Sequence, residues 1–168
     1  MTLTALYFQI AGRPIPLQRH RDGVCWYKDV QNKKFNVRHW KYNPQFKQME
    51  EVRDYFRSQF QYAPLSEPLL VSYIFSFPIP KGWNKKNHAL AAEQKIHHLG
   101  RPDTSNLIKF YEDCMNEVVY EDDSQIIGTE AYKIYSENPK TQIWMRTALK
   151  QEIEQKLSEI PKYYGNIT

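Results

Sequence analysis

The chain has 168 residues, of which 41% are hydrophobic and 14% aromatic, and a formal net charge of +4. That length suits one domain spanning 1–168 with enough apolar material for a core, and the charge mildly favours an anionic partner. Two cysteines, Cys25 and Cys114, exclude a disulfide framework and a CxxC metal knuckle, so a reducing cytoplasm is the default; no apolar run reaches the length of a membrane span, and the start does not read as a signal peptide.

The first predicted element is a strand over 3–12, "LTALYFQIAG". "RPIPLQRHRDG" follows, an extended loop with two prolines and three arginines, and then a short strand over 24–29. Residues 43–62 open with Asn43 and Pro44 and repeat Phe46, Met49, Val52, Phe56 and Phe60 at helical spacing, which predicts a helix. "PLLVSYIFSFPIP" (68–80) is rich in β-branched and aromatic residues and predicts a central strand closed by prolines. Residues 81–100 form a basic loop with a short helix across 88–97. Over 104–118, Leu107, Phe110, Tyr111, Cys114 and Val118 share one helical face, and Asn106, Lys109, Asp113 and Asn116 share the other. Residues 123–137 and 140–147 read as two strands of a hairpin about "ENPK", and 148–160 as a charged terminal helix. The pattern is that of an α/β (α+β) domain with a small mixed sheet packed against helices.

Charge is segregated along the chain. Arg13–Lys41 holds eight Lys or Arg against two acids, and Lys81–Arg101 holds five against one. Glu112–Glu130 holds seven acids and no Lys or Arg. Each run by itself reads as solvated surface. Together they describe a polyanion-binding surface with an acidic, cation-holding pocket. No Gly-rich phosphate loop is present, which argues against a nucleotide cofactor.

The acidic pocket is carried by "RPDTSNLIKFYEDCMNEVVYEDDSQI". Asp103 stands at the start of the 104–118 helix, where free N–H groups stabilise an anion. Lys109 and Asp113 can pair at four-residue spacing. The chain after the helix can return Asp122 or Asp123 to the helix start. Taken singly, Asp103 is an N-cap, Lys109 a surface lysine, Asp122 and Asp123 turn residues, Cys114 a core residue, and Glu112 and Glu117 solvated. His97 and His98 are adjacent and do not share a metal. Taken together, several carboxylates around one lysine call for a counter-ion. Oxygen ligands alone favour Mg²⁺, with Mn²⁺ as a substitute, over zinc. A basic surface around such a site points to phosphodiester chemistry, the cation polarising a phosphate oxygen and activating water, and the lysine stabilising developing charge.

In "PDTSNLIK", "EDCMN" and "EDDSQI" the chain resembles the RusA-like Holliday-junction resolvases of phages and bacteria. "FQIAGRPIPLQRHR", "FSFPIPKGWNKK" and "YKIYSENPKTQIWM" resemble that family's opening strand and basic loop, its central strand and following basic segment, and its closing hairpin. The resemblance implies a RusA-like fold and a cytoplasmic, Mg²⁺-dependent endodeoxyribonuclease of bacterial or phage-infected cells. It further implies a homodimer that nicks four-way DNA junctions in pairs. Asp103 and Asp123 match the catalytic, metal-holding aspartates, Asp122 a supporting ligand, Lys109 the catalytic lysine and Asn106 the motif asparagine. Arg13, Arg19, Arg21, Lys81, Lys85 and Lys86 are expected to line the DNA path. Trp83 reads equally as a base-stacking or a packing residue.

Ser105 stands where the family has a second aspartate, which removes one negative charge from the cation site. The resemblance therefore allows an active site, a slow one, or a branched-DNA-binding protein that does not cut. Retention of Asp103, Lys109, Asp122 and Asp123 favours the first two.

Overall fold

The computed structural model describes residues 5–29, 31 and 34–164; positions 3 and 4 of the first predicted strand lie outside them. Along the chain come β1 (Ala5–Ala11), β2 (Arg21–Asp29), β3 (Lys34–Tyr42), α1 (Phe46–Gln59), β4 (Leu69–Pro78), α2 (Lys85–Ala92), α3 (Thr104–Met115), a 3-10 turn (Asp123–Gln125), β5 (Ile126–Ser136), β6 (Lys140–Thr147) and α4 (Lys150–Tyr164). The fold is mixed α+β, with a four-stranded sheet ordered β1-β6-β4-β5 and a separate two-stranded β2-β3 ribbon.

β4 sits between two neighbours because it is the most apolar strand. Leu69, Val71, Tyr73, Phe75 and Phe77 point alternately to one face and are all buried. Met49, Val52 and Phe56 of α1 join the same core as Leu107, Phe110, Tyr111, Cys114 and Met115 of α3. The helical spacing of apolar residues seen in the sequence is therefore the core-facing stripe of each helix.

Three expectations are corrected. β5 and β6 do not form a hairpin: β4 lies between them, parallel to β5 and antiparallel to β6. "ENPK" instead carries the chain past the end of β4, and it lacks the Asn-Gly or Gly-X pair of a tight hairpin turn. Burying both edges of β4 outweighs closing a short local pair. The helix predicted over 104–118 stops at Met115 because Glu117 adopts the left-handed conformation (φ 61°), although Val118 still packs against the core. The helix expected at 88–97 starts at Lys85, where Asn84 caps it by accepting the Asn87 N–H at 2.8 Å.

A fourth difference is the ribbon. The expected extended loop ends at His20, and β2 and β3 pair in antiparallel register from Arg21↔Tyr42 to Asp29↔Lys34. β3 carries no clean apolar alternation, because both faces of the ribbon are open to solvent and neither selects a pattern. What holds its root is Gln45, buried at the start of α1. Gln45 donates to the Pro16 carbonyl (3.0 Å) and accepts the Gln18 N–H (2.5 Å). Leu17 N–H bonds the Asn106 carbonyl at 2.8 Å, which lays the basic loop along the first turn of α3.

Candidate active site

Lys109 is the centre of the polar face of α3. Its Nζ lies 3.0 Å from Asp113 Oδ1, one turn on, and 2.5 Å from Asp123 Oδ2 at the start of the 3-10 turn. The Asp123 hydrogen bond, opposed by desolvation and helped by Asp113, holds the lysine well above its ordinary range, so it stays charged. Both carboxylates and the ammonium are partly exposed, so the pair is available to a ligand.

The acidic turn is held rigidly by its own residues. Asp122 Oδ1 accepts the Ser124 N–H and Gln125 Oε1 accepts the Asp122 N–H, each at 2.9 Å. This is a reciprocal capping box, and it explains the Asp-x-x-Gln spacing of "DDSQ". The bond to Ser124 holds the exposed Asp122 carboxyl below its usual range. Gln125 Nε2 also donates to the Leu65 carbonyl at 3.0 Å, tying the turn to the segment before β4.

Asp103 occupies the N-cap of α3, yet its side chain makes no capping hydrogen bond. The cap reading therefore does not account for the carboxylate. The loop before it is anchored from β5, where Lys133 Nζ donates to the carbonyls of Gly100 and Pro102 at 2.9 Å each. Asp103 lies six residues before Lys109, about 9 Å along the helix axis. The chain thus returns Asp123 to the Lys109 ammonium on α3. Among the described residues no three His, Cys, Asp or Glu side chains are grouped as a metal cage. The donor set still suits a hard cation, because it is all oxygen and the Asp103 carboxylate is not engaged by the helix end.

Sequence reasoning missed three residues here. Glu112, expected to be solvated, is half-buried, and desolvation raises its carboxyl against the pull of Lys109. Its backbone carbonyl accepts the buried Tyr120 hydroxyl at 2.9 Å. Arg53 of α1 donates to the Asp113 carbonyl at 2.9 Å. Lys133 shows no signal beyond lying in β5 within an otherwise mostly uncharged run.

The expected DNA-path residues fall in separate places. Arg13 lies over the Phe77 ring at 6.0 Å, Arg21 opens the ribbon, and Lys81, Lys85 and Lys86 are exposed around the start of α2. Asn106 is exposed on the first turn of α3. Arg19 lines a cavity of about 410 Å³ with His20, Asn43, Arg53 and Asp113, next to the root of the ribbon. Trp83 packs edge-on against Tyr135 at 5.1 Å, and His98 stacks on Phe77 at 4.2 Å. Burial and the nearby Lys133 and Arg13 lower the His98 pKa. Cys114 is a core residue, its thiol pushed up to about 12 by burial. No helix among the described residues is long and apolar enough to cross a membrane.

Residues 23–146 match the family described as endodeoxyribonuclease RusA. A relative from Bacillus subtilis (strain 168), the uncharacterized protein YqaN, is 32% identical over 71 residues, which is 41% of this chain and 50% of that protein. The chain thus aligns with about half the length of that relative. The family match takes in most of the chain, including β4, α3 and the acidic turn, and the chain belongs to the RusA endodeoxyribonuclease family.

Proposed function

We propose that this protein is a Mg²⁺-dependent, structure-selective endodeoxyribonuclease that resolves four-way DNA junctions by paired nicking, acting as a homodimer. The observation that carries the reading is Lys109 bridging Asp113 and Asp123 on a partly exposed face, inside the segment matched to the nuclease family. Asp103 and Asp123 would hold the cation, with Asp122 in support through the oxygen its cap does not use. Bound Mg²⁺ would supply Lewis acidity toward a phosphate oxygen. Lys109, permanently charged, offers an ammonium to the charge that builds on the phosphoryl group in the transition state. Gln125 and Ser124 keep the acidic turn in place, and Lys133 keeps the loop before Asp103 in place. Basic side chains at Arg13, Arg19, Arg21, Lys81, Lys85 and Lys86, with Asn106, would seat the DNA backbone.

The test is incision of a synthetic four-way junction with Mg²⁺, with Mn²⁺ and with EDTA. Symmetric nicks that require the cation support the reading. A second reading has its own warrant: Ser105 is neutral, and no three-ligand cage occurs among the described residues. It is a branched-DNA-binding protein that cuts slowly or not at all. Tight junction binding in EDTA with no incision at any Mg²⁺ or Mn²⁺ concentration would establish it.

A further inference from the structure

The β2-β3 ribbon exposes more apolar surface than a free-standing hairpin can carry without a partner. Trp26 is 69% and Phe35 70% exposed, with Val24 (53%) and Val37 (39%) beside them. The register pairs Trp26 with Val37 and Lys28 with Phe35. Alternation along the strands puts Val24, Trp26, Lys28, Phe35 and Val37 on one face, with Asp22 and Lys41 paired 3.9 Å apart toward its root. Trp26 and Phe35 are diagonal neighbours there, and neither ring meets another aromatic ring among the described residues.

The opposite face is partly covered by its own side chains. Trp40 lies over Gly23, where an added Cβ would come within 2.0 Å of the indole, and its ring is 5.2 Å from Tyr42. These contacts stiffen the ribbon from behind. The Trp26–Phe35 face therefore stands ready on a braced support, near the ribbon's turn and about 17 Å from its root. The root adjoins the cavity that reaches Asp113.

Charge selects the occupant. Residues 21–42 carry six Lys or Arg and two acids, a net +4 equal to that of the whole chain. Two such ribbons repel each other, whereas a nucleic-acid strand is attracted. Exposed aromatic rings among cations are a stacking platform for bases that are not paired, because every base has a π-face. We propose that Trp26 and Phe35 form a stacking platform for unpaired DNA bases, presented at the outer part of the ribbon, with Lys28 on the flanking phosphates. This rests on the nuclease reading only in taking DNA as the nucleic acid.

Binding in EDTA tests it apart from cleavage. Fluorescence anisotropy would compare an oligothymidine single strand with a fully paired duplex, using the wild type, Trp26→Ala/Phe35→Ala and Trp26→Tyr/Phe35→Tyr. The alanine pair is expected to lose about tenfold or more in affinity for the single strand and far less for the duplex, with the salt slope unchanged. The tyrosine pair should recover most of the loss. Unchanged single-strand affinity, or equal loss on both probes, would overturn the platform. So would sedimentation in which the alanine pair breaks up a self-associated protein, which would make the face a contact between copies. A wild type that binds the single strand through these rings but fails to nick junctions with Mg²⁺ would sink the nuclease reading and leave the platform standing.

Discussion

Asp123 shares its charge with Lys109 and is the acidic-turn carboxylate turned onto α3, whereas Asp122 spends an oxygen on the cap of its own turn. Asp123→Asn keeps the side-chain shape and removes the charge, so it is expected to abolish junction nicking while leaving junction affinity the same or higher. Wild-type nicking rates in that variant would remove Asp123 from the site. Glu112 gives a signed pH prediction. Its carboxyl is raised chiefly by burial, so ionising it opposes folding. That penalty is absent below the ordinary value of 4.5 and fully present above the raised one. Glu112→Gln should accordingly raise Tm at neutral pH and give little advantage at acid pH. A stabilisation independent of pH would contradict this cause. At Ser105 the expectation is an added ligand: Ser105→Asp should lower the Mg²⁺ concentration for half-maximal nicking, on the order of tenfold, ~1.4 kcal/mol. The extra anion near Asp103 should also lower Tm in EDTA, with Mg²⁺ restoring it. No change in either measurement would place Ser105 away from the cation.

At the scale of elements, one hydroxyl links α3 to both the sheet and the basic loop. Tyr111 is buried, and its oxygen accepts from Thr141 Oγ1 at 2.7 Å and from the Ile15 N–H at 3.2 Å. Tyr111→Phe keeps the ring in the core and leaves two donors without their acceptor. The expected cost is about 1–3 kcal/mol, read as a lower Tm, with faster proteolysis between Arg13 and Arg21 as the loop loosens. An unchanged cleavage pattern with a lower Tm would show that Gln45 and Leu17 hold the loop unaided. The helical stripes of α1 and α3 and the apolar run of β4 could be read along the chain because each depends on local periodicity. The capping box of the acidic turn was also present in "DDSQ" as spacing. Of the ribbon, part of β2 was legible as the strand over 24–29, whereas β3 was not, since its apolar residues switch faces between Val37 and Trp40.

For the whole molecule, the expected DNA-path positions sit on different elements. Arg13 comes from the loop after β1, Arg19 from the ribbon root, and Lys85 and Lys86 from the start of α2. If they share one DNA path, replacing each by alanine should lower the slope of log K against log salt by about one unit. Positions that change neither affinity nor slope lie off the path. Paired incision also requires two sites related by a two-fold axis. Sedimentation that found only the 20.1 kDa monomer at micromolar concentration, with and without junction, would count against it.

The sequence by itself determined the α/β character and the core stripes, and it offered Asp103, Lys109, Asp122 and Asp123 as the candidate site, because periodicity, caps and i, i+4 pairing act over a few residues. Only the tertiary structure decided that β4 separates β5 from β6 and that Asp123 meets Lys109. It alone buried Glu112 and set Lys133 behind the loop that carries Asp103. Those outcomes depend on which distant segments share a core, and the free energy of burying β4 on both edges is a property of the packed sheet that no local stretch encodes.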